Sequence, residues 1–255
     1  MEGKDQALDV WGEFACFTRP ELKVERFSYP VPTPSAVRGI YDAIYCNRHE
    51  FRWQVTRVEI LKPIRFVALR RNEVREKIDP NVVENKWMNG EPPSPIYADL
   101  TEGMLGTDRK GRVQRQTMAL GDVRYRLHAV IWPYGGFEGK QNGYESEFRR
   151  RATRGKCIYQ PYFGCREFPA YFELVEVGSP PAKFEKPFDL DIGWMLYDVF
   201  DLTEKVPDAE VGQTKPRISL FHATGEEYGV RGGVLKVPLH ESDLVHKVPK
   251  EGNDA

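Results

Sequence analysis

The stretch FTRPELKVERFSYPVPTPSAVRGIYDAIY, residues 17–45, decides the fold because it contains a complete helix start. Thr33 is a natural N-cap, since its side-chain oxygen can accept from a free N–H of the first turn. Pro34 suits the first helical position, where no N–H is needed. These signals predict a helix over residues 34–45. Ala36, Val37, Ile40, Ala43 and Ile44 recur at helical spacing and should face the core. Arg38, Asp42 and Tyr45 fall on the opposite side, with Tyr41 at the edge. The same stretch carries four basic residues, Arg19, Lys23, Arg26 and Arg38, among Phe17, Phe27 and Tyr29. Cations interleaved with aromatics raise the question of a negatively charged ligand.

Working outward, LDVWGEFACFT (8–18) is rich in aromatic and β-branched residues and predicts a strand. The segment 52–69 predicts one long strand or two, with Lys62-Pro63 marking a bend or an edge. Residues 70–117 are polar and rich in proline and glycine, and are expected to form a long functional or partly ordered insert. DVRYRLHAVIW (122–132) alternates strictly, with Val123, Tyr125, Leu127, Ala129 and Ile131 on one face. Arg124, Arg126 and His128 line the other, which predicts a strand with one basic face. ESEFRRRATR (145–154) predicts a short helix with acids first and bases last, as the helix dipole favours, ended by Gly155. GCREFPAYFELVEV (164–177) predicts a further strand, broken near Pro169.

The order is strand, helix, strand, insert, strand, helix, strand. That βαββαβ unit defines an α+β fold of ferredoxin-like type. The expected boundaries are 1–178 for this domain, with 70–117 as its insert, and 179–255 for a small C-terminal β subdomain with a flexible tail. Strand patterns in 191–200, 217–224 and 233–239 supply the second part.

The 255 residues are 40% hydrophobic, enough for one substantial core or two modest ones. No apolar run is long enough to span a membrane, and the N-terminus lacks a signal-peptide layout, so a cytoplasmic protein without membrane association is expected. Cys16, Cys46, Cys157 and Cys165 have no C-x-x-C spacing and are expected to be reduced core thiols. Nucleotide-loop, zinc-protease and hydrolase-elbow motifs are absent, and His49, His128, His222, His240 and His246 show no metal-ligand spacing. No metal site and no cofactor is expected.

A net charge of −1 hides a polarised chain. Residues 109–156 hold twelve Lys/Arg against four Asp/Glu, whereas 167–213 hold three against eleven. Such asymmetry fits a polyanion on one side of the molecule, or basic and acidic segments that pair with each other on folding. Within the basic segment, Arg149, Arg150, Arg151, Arg154 and Lys156 crowd into eight positions. That is more than a helix C-terminus needs, and it suits phosphate contact. Tyr45 beside such a patch would be favoured as phenolate.

GEFACFTRPELKVERFSYPVPTPSAVRGIYDAIY, ILKPIRFVALRRNEV, FRRRA and CIYQPYFGCREFPAYFELVE together resemble the fifth Cas family of type I-C CRISPR systems, over most of the chain. The resemblance implies a protein that cuts the repeat of precursor CRISPR RNA. It implies that the protein then stays on the 5′ handle as a subunit of the Cascade surveillance complex, beside the backbone and large subunits. The implied chemistry is metal-independent: the ribose 2′-OH attacks the adjacent phosphate, leaving a cyclic phosphate and a 5′-OH. The family uses a tyrosine at the end of the first helix, and Tyr45 matches it. It also uses an adjacent lysine and histidine before the second helix, where this chain has EGKQNGYESEFRRRA. Aligned without gaps, Gly143 and Tyr144 stand there; with a short insertion, Lys140 takes the lysine position and Gln141 that of the histidine. The histidine is missing either way, which puts a non-catalytic handle-binding subunit beside the nuclease as the alternative. The candidate catalytic residues are Tyr45, Lys140 and Tyr144. The candidate RNA-binding residues are Arg19, Lys23, Arg26, Arg38, Arg124, Arg126, His128, Arg149, Arg150, Arg151, Arg154 and Lys156.

Overall fold

A computed structural model describes residues 3–74, 80–92, 112–176, 183–202 and 218–248. The chain forms β1 (Gln6–Ala15), β2 (Arg26–Phe27), α1 (Pro34–Ile44), β3 (Phe51–Ile60), β4 (Phe66–Val74) and α2 (Pro80–Val82). It continues through β5 (Arg112–Pro133), α3 (Gln141–Thr153), β6 (Tyr171–Leu174), β7 (Gly193–Asp198) and β8 (Ser219–Ala223). The last elements are α4 (Gly225–Tyr228), β9 (Val230–Arg231), β10 (Val234–Lys236) and β11 (Val245–Lys247).

The fold is mixed α and β with antiparallel sheets. The main sheet has the order β6-β1-β5-β3-β10-β9, and β7, β8 and β11 form a second sheet in the order β11-β8-β7. The neighbours in the main sheet pair antiparallel throughout: β1 with β5 and β6, β3 with β5 and β10, and β10 with β9. Met1–Val67 and Met118–Ala255 form one compact unit and Ala68–Thr117 another. Within the latter lie the outer part of β4, α2, a π turn over Val83–Trp87 and the start of β5. The polar insert therefore begins and ends as strand, and Arg115 bonds Glu73 at 3.1 Å between these strand segments. The remainder of the expected insert, 75–79 and 93–111, lies outside the described residues.

Helix α1 begins as its sequence dictates. The Thr33 side chain accepts from Ala36 N–H at 3.2 Å, with Pro34 next. Val37, Ile40, Ala43 and Ile44 are buried. Tyr41, expected at the edge, is fully buried against Trp53 and Phe148, with ring centroids 4.8 and 5.5 Å away. Its hydroxyl faces the carbonyls of Gln6 at 2.7 Å and Leu127 at 2.9 Å, so a buried O–H keeps its acceptors.

The helix side opposite the apolar stripe is covered at Arg38 and Asp42. Arg38 donates from Nε and Nη2 to both oxygens of Asp198, at 2.7 and 3.0 Å, and from Nη1 to Asp42 at 2.6 Å. Asp198 ends β7, so this fork ties α1 to the second sheet. Burial disfavours the guanidinium charge, but Asp198 and Asp42 more than offset it and raise the Arg38 pKa. Arg38 is therefore committed inside the protein.

The basic face of β5 is largely paired within the protein, although Arg124 stays exposed. Arg126 forms two hydrogen bonds to Asp9, at 2.6 and 3.1 Å, and Arg124 lies 3.8 Å from the same carboxylate. His128, expected to face RNA, is buried between Asp5 (2.7 Å from Nδ1) and Glu59 (2.9 Å from Nε2). The antiparallel register sets Asp9 opposite Arg126 on β1 and Glu59 opposite it on β3, which brings the carboxylates to this face.

Three further expectations are corrected. The last strand of the main unit is only Tyr171–Leu174. Gly164, at φ +77° against the Cys16 carbonyl, starts a turn there instead of a strand. The first strand ends at Ala15, where Cys16 N–H leaves to bond Phe163 O at 3.0 Å. Of the four free cysteines, Cys16 and Cys165 are buried but Cys157 is exposed. Among the described residues no helix is long and apolar enough to cross a membrane.

Removing one partner of a buried ion pair strands the other charge. Asp198→Ala is expected to cost about 3–5 kcal/mol in denaturant melts, whereas exposed Arg154→Ala should stay within about 0.5 kcal/mol. His128 gives a pH signature. Burial lowers its pKa, but the hydrogen bonds to Asp5 and Glu59 outweigh that, and the net shift is upward from 6.5. The folded chain therefore holds this proton more tightly than the unfolded one. That stabilisation is complete below about pH 6.5 and is lost as pH rises through the higher folded value. In urea melts from pH 6 to 9, the stability advantage of wild type over His128→Gln should shrink as pH rises.

Candidate functional site

The site is built where α1 ends. Tyr45 is its C-cap: its N–H donates to Tyr41 O at 2.9 Å, and its extended backbone turns the chain away. The Tyr45 carbonyl then accepts from the Trp53 indole at 2.9 Å, which anchors the turn over residues 45–50 to β3. The Tyr45 ring packs on Phe51, centroids 5.3 Å apart, and Arg151 of α3 lies over it at 5.4 Å. Arg151 also donates to Ile44 O at 3.4 Å, satisfying a carbonyl at the end of α1.

Helix α3 supplies the other side. It starts at Gln141, one turn earlier than its charge pattern suggests, which places Tyr144 within it. Gly155 ends it at φ +62°, with Lys156 N–H returning to Arg151 O at 2.9 Å. Phe148 is fully buried under Tyr41 and Trp53, and this packing fixes which face of α3 turns inward. Tyr144 lies on that face, its ring 5.0 Å from Phe51. Phe51 thus receives Tyr45 from one helix and Tyr144 from the other.

One residue outside the sequence-derived candidates holds the cluster together. Glu50 accepts from the Tyr144 hydroxyl at 2.7 Å and from Asn47 Nδ2 at 2.9 Å through Oε2. Its Oε1 accepts from Lys140 Nζ at 3.1 Å. Lys140 is itself 60% exposed, and Glu50 24%. The three candidate catalytic residues, from three separate elements, therefore meet around Phe51 and Glu50. Gln141 instead turns its amide to Ile131 O and Glu145, each at 3.3 Å.

The electrostatics reverse the expectation for Tyr45. Burial raises its pKa first, and Glu147 and Glu50 raise it further against the opposing effect of Arg151. Tyr144 is also raised, by burial and then by its bond to Glu50. Both phenols hold their protons more firmly than free tyrosine does. Burial and two carboxylates outweigh the one arginine that lies over the Tyr45 ring.

The candidate RNA-binding residues divide by what they already bind. Arg149 pairs with Glu176 at 3.0 Å, while Arg150 and Arg151 share Glu147 at 2.7 and 2.8 Å. Arg26 bonds Glu167 at 3.0 Å, and Arg19 stacks on Tyr29 near Glu21. Lys23, Arg154 and Lys156 stand exposed, without a carboxylate partner among the described residues. Arg154 and Lys156 continue into exposed Ile158 and Tyr159, and Ile158 N–H donates to Ala43 O in the last turn of α1. That bond carries a strip of cations and exposed side chains to the end of the helix that bears Tyr45. Sequence reading passed over Tyr159, although its place three residues beyond Lys156 was the available signal.

Comparison with known proteins agrees with this architecture. The family model described as CRISPR-associated protein (Cas_Cas5) matches residues 7–237. A protein of Mannheimia succiniciproducens named CRISPR pre-crRNA endoribonuclease Cas5d is 40% identical over 245 residues, covering 94% of this chain and 97% of its own. A protein of the same name from Thermus thermophilus is 35% identical over 259 aligned positions, covering 96% of each. Among solved structures, a CRISPR-associated protein superposes with a TM-score of 0.59 at 18% identity, over 96% of this chain and 98% of its own. The Streptococcus mutans protein SMU1763c does so with a TM-score of 0.57 at 17% identity and the same coverage. At such identities these two establish a shared fold alone. With the family model spanning residues 7–237 and two relatives above 30% identity along nearly their whole lengths, the chain belongs to the CRISPR-associated Cas5d family.

Proposed function

We propose that this chain is a metal-independent endoribonuclease that cuts the repeat of precursor CRISPR RNA. It then holds the 5′ handle as a Cascade subunit, against the backbone and large subunits. Two relatives matched along almost their whole length carry the name pre-crRNA endoribonuclease. The observation that carries the proposal is the meeting of Tyr45, Tyr144 and Lys140 around Phe51 and Glu50. Beside it runs the strip of Arg154, Lys156 and Tyr159, which offers cations to phosphates and a ring to a base. The exposed Lys23 adds a further cation, and Arg149, Arg150 and Arg151 can exchange their carboxylates for phosphate.

The antiparallel order β6-β1-β5-β3, with α1 and α3 as connections, supports a ferredoxin-like, RNA-recognition-like body over 1–178. Residues 179–255 add a small β subdomain, and its strands β9 and β10 extend the main sheet.

In the proposed reaction the ribose 2′-oxygen bonds to phosphorus as the bond to the 5′-oxygen breaks, leaving a cyclic phosphate and a 5′-hydroxyl. Lys140 supplies positive charge to the crowded phosphorane. Tyr45, whose proton is held firmly, orients the reacting groups and donates a hydrogen bond to the departing oxygen. Tyr144 is buried and positions Glu50. One observation favours a non-catalytic handle-binding role: Gln141 stands where the family's histidine is expected and its amide can neither give nor take a proton.

Incubation of purified protein with its repeat RNA in EDTA should give a product ending in a cyclic phosphate. Tight binding without cleavage at enzyme excess would select the non-catalytic role. Tyr45→Phe should slow cleavage by about 10²–10⁴, and Lys140→Ala by about 10²–10³. Arg154→Ala and Lys156→Ala should each weaken RNA binding and reduce the slope of log K against log salt by about 0.7.

A further inference from the structure

A 2′-hydroxyl that attacks phosphorus must hand its proton to a base, and the cluster offers few acceptors. Tyr45 and Tyr144 already hold their own protons above the ordinary phenol range. Gln141 is neutral. His128 is enclosed by Asp5 and Glu59 on the basic face of β5. Glu147 is bound by Arg150 and Arg151, which bring its pKa to about 2 and make it a poor base.

Among the carboxylates of the cluster Glu50 remains, and its contacts suit a general base. It lies on the short turn between Tyr45 and Phe51, at the meeting point of the three candidate residues. The Tyr144 hydroxyl and Asn47 amide fix Oε2, and Lys140 occupies Oε1. Lys140 is the most exposed of these partners and the one an arriving phosphate would draw away. Lys140 and Tyr144 bond it from the region of α3, Tyr45 at the end of α1 feels it together with Glu147 and Arg151, and His49 precedes it on the turn.

Building on the nuclease reading above, we propose that Glu50 accepts the 2′-hydroxyl proton through Oε1, with Tyr144 and Asn47 holding the carboxylate in line. The proton moves to Glu50 as the O2′–P bond forms. The P–O5′ bond breaks, and the leaving oxygen takes a proton from Tyr45. Solvent then returns the proton from Glu50 to Tyr45, so no oxidant, reductant or metal enters the balance.

Glu50→Gln preserves size and an oxygen acceptor for Tyr144 but removes the base. The expected result is a 10²–10⁴-fold loss of single-turnover cleavage, with repeat-RNA affinity and thermal midpoint close to wild type. Glu50→Asp should recover part of the rate. The wild-type rate should be level from about pH 6 to 8, because carboxylates are ionised there, whereas a tyrosine base would make it climb tenfold per pH unit toward about pH 10. Cleavage by Glu50→Gln within threefold of wild type, or a wild-type rate still climbing in that way, overturns the assignment. If Glu50→Gln melts early, Glu50→Asp and the wild-type pH profile decide. Failure of the nuclease reading is distinct: the wild type itself then leaves the repeat uncut.

Discussion

A tyrosine hydroxyl with nowhere to go but the sheet sets the geometry of this protein. Tyr41 is fully buried, and its single proton must find an acceptor among backbone carbonyls of β1 and β5. An unmet buried hydroxyl would cost on the order of 1–3 kcal/mol, so α1 is held in one position along the sheet. Trp53 and Phe148 pack on the same ring, and α3 is thereby docked beside α1. Everything at the candidate site inherits that placement, because Tyr45 lies one helical turn after Tyr41 and Tyr144 one turn before Phe148.

Much of the positive charge in the chain serves the fold. Arg38 links α1 to Asp198 across 160 residues, Arg26 reaches Glu167 and Arg149 reaches Glu176. Of these three pairs only Arg149–Glu176 joins the basic segment 109–156 to the acidic one, while Arg115, Arg126, Arg150 and Arg151 find carboxylates elsewhere, so fewer cations are left for a polyanion. Two of that set, Arg154 and Lys156, follow α3 directly and are tethered to α1 through Ile158. A ligand drawn there arrives beside the end of the helix that carries Tyr45. Charge count along the chain could not separate these uses, since a cation bound to a carboxylate and one facing solvent look alike in sequence.

The same limit explains Glu50. In sequence it is one acid in the turn segment CNRHEF, with no motif around it. Its contacts come from what α3 and the turn before it deliver to it from 90 and 94 residues away. The Tyr45 environment follows from the same convergence. The fold buries this tyrosine and sets Glu147 and Glu50 near it, which together raise its pKa against the opposing Arg151.

By itself the sequence determined α1 with its Thr33 cap, the alternation of β5, an irregularity at Lys62-Pro63 that left one strand or two open, and the family. These are local matters of capping, period and proline, or long shared motifs. The helix at 145–154 and the strand at 164–177 were legible in kind but not in extent. Their true ends depend on Tyr144 packing on Phe51 and on Gly164 meeting the Cys16 carbonyl. Only the tertiary structure decided that Arg38, Arg126 and His128 are internal, that Tyr45, Tyr144 and Lys140 converge, and that Glu50 stands among them. Each of these turns on which residues of distant strands and helices come to lie opposite one another, a matter of register and packing that no local pattern encodes.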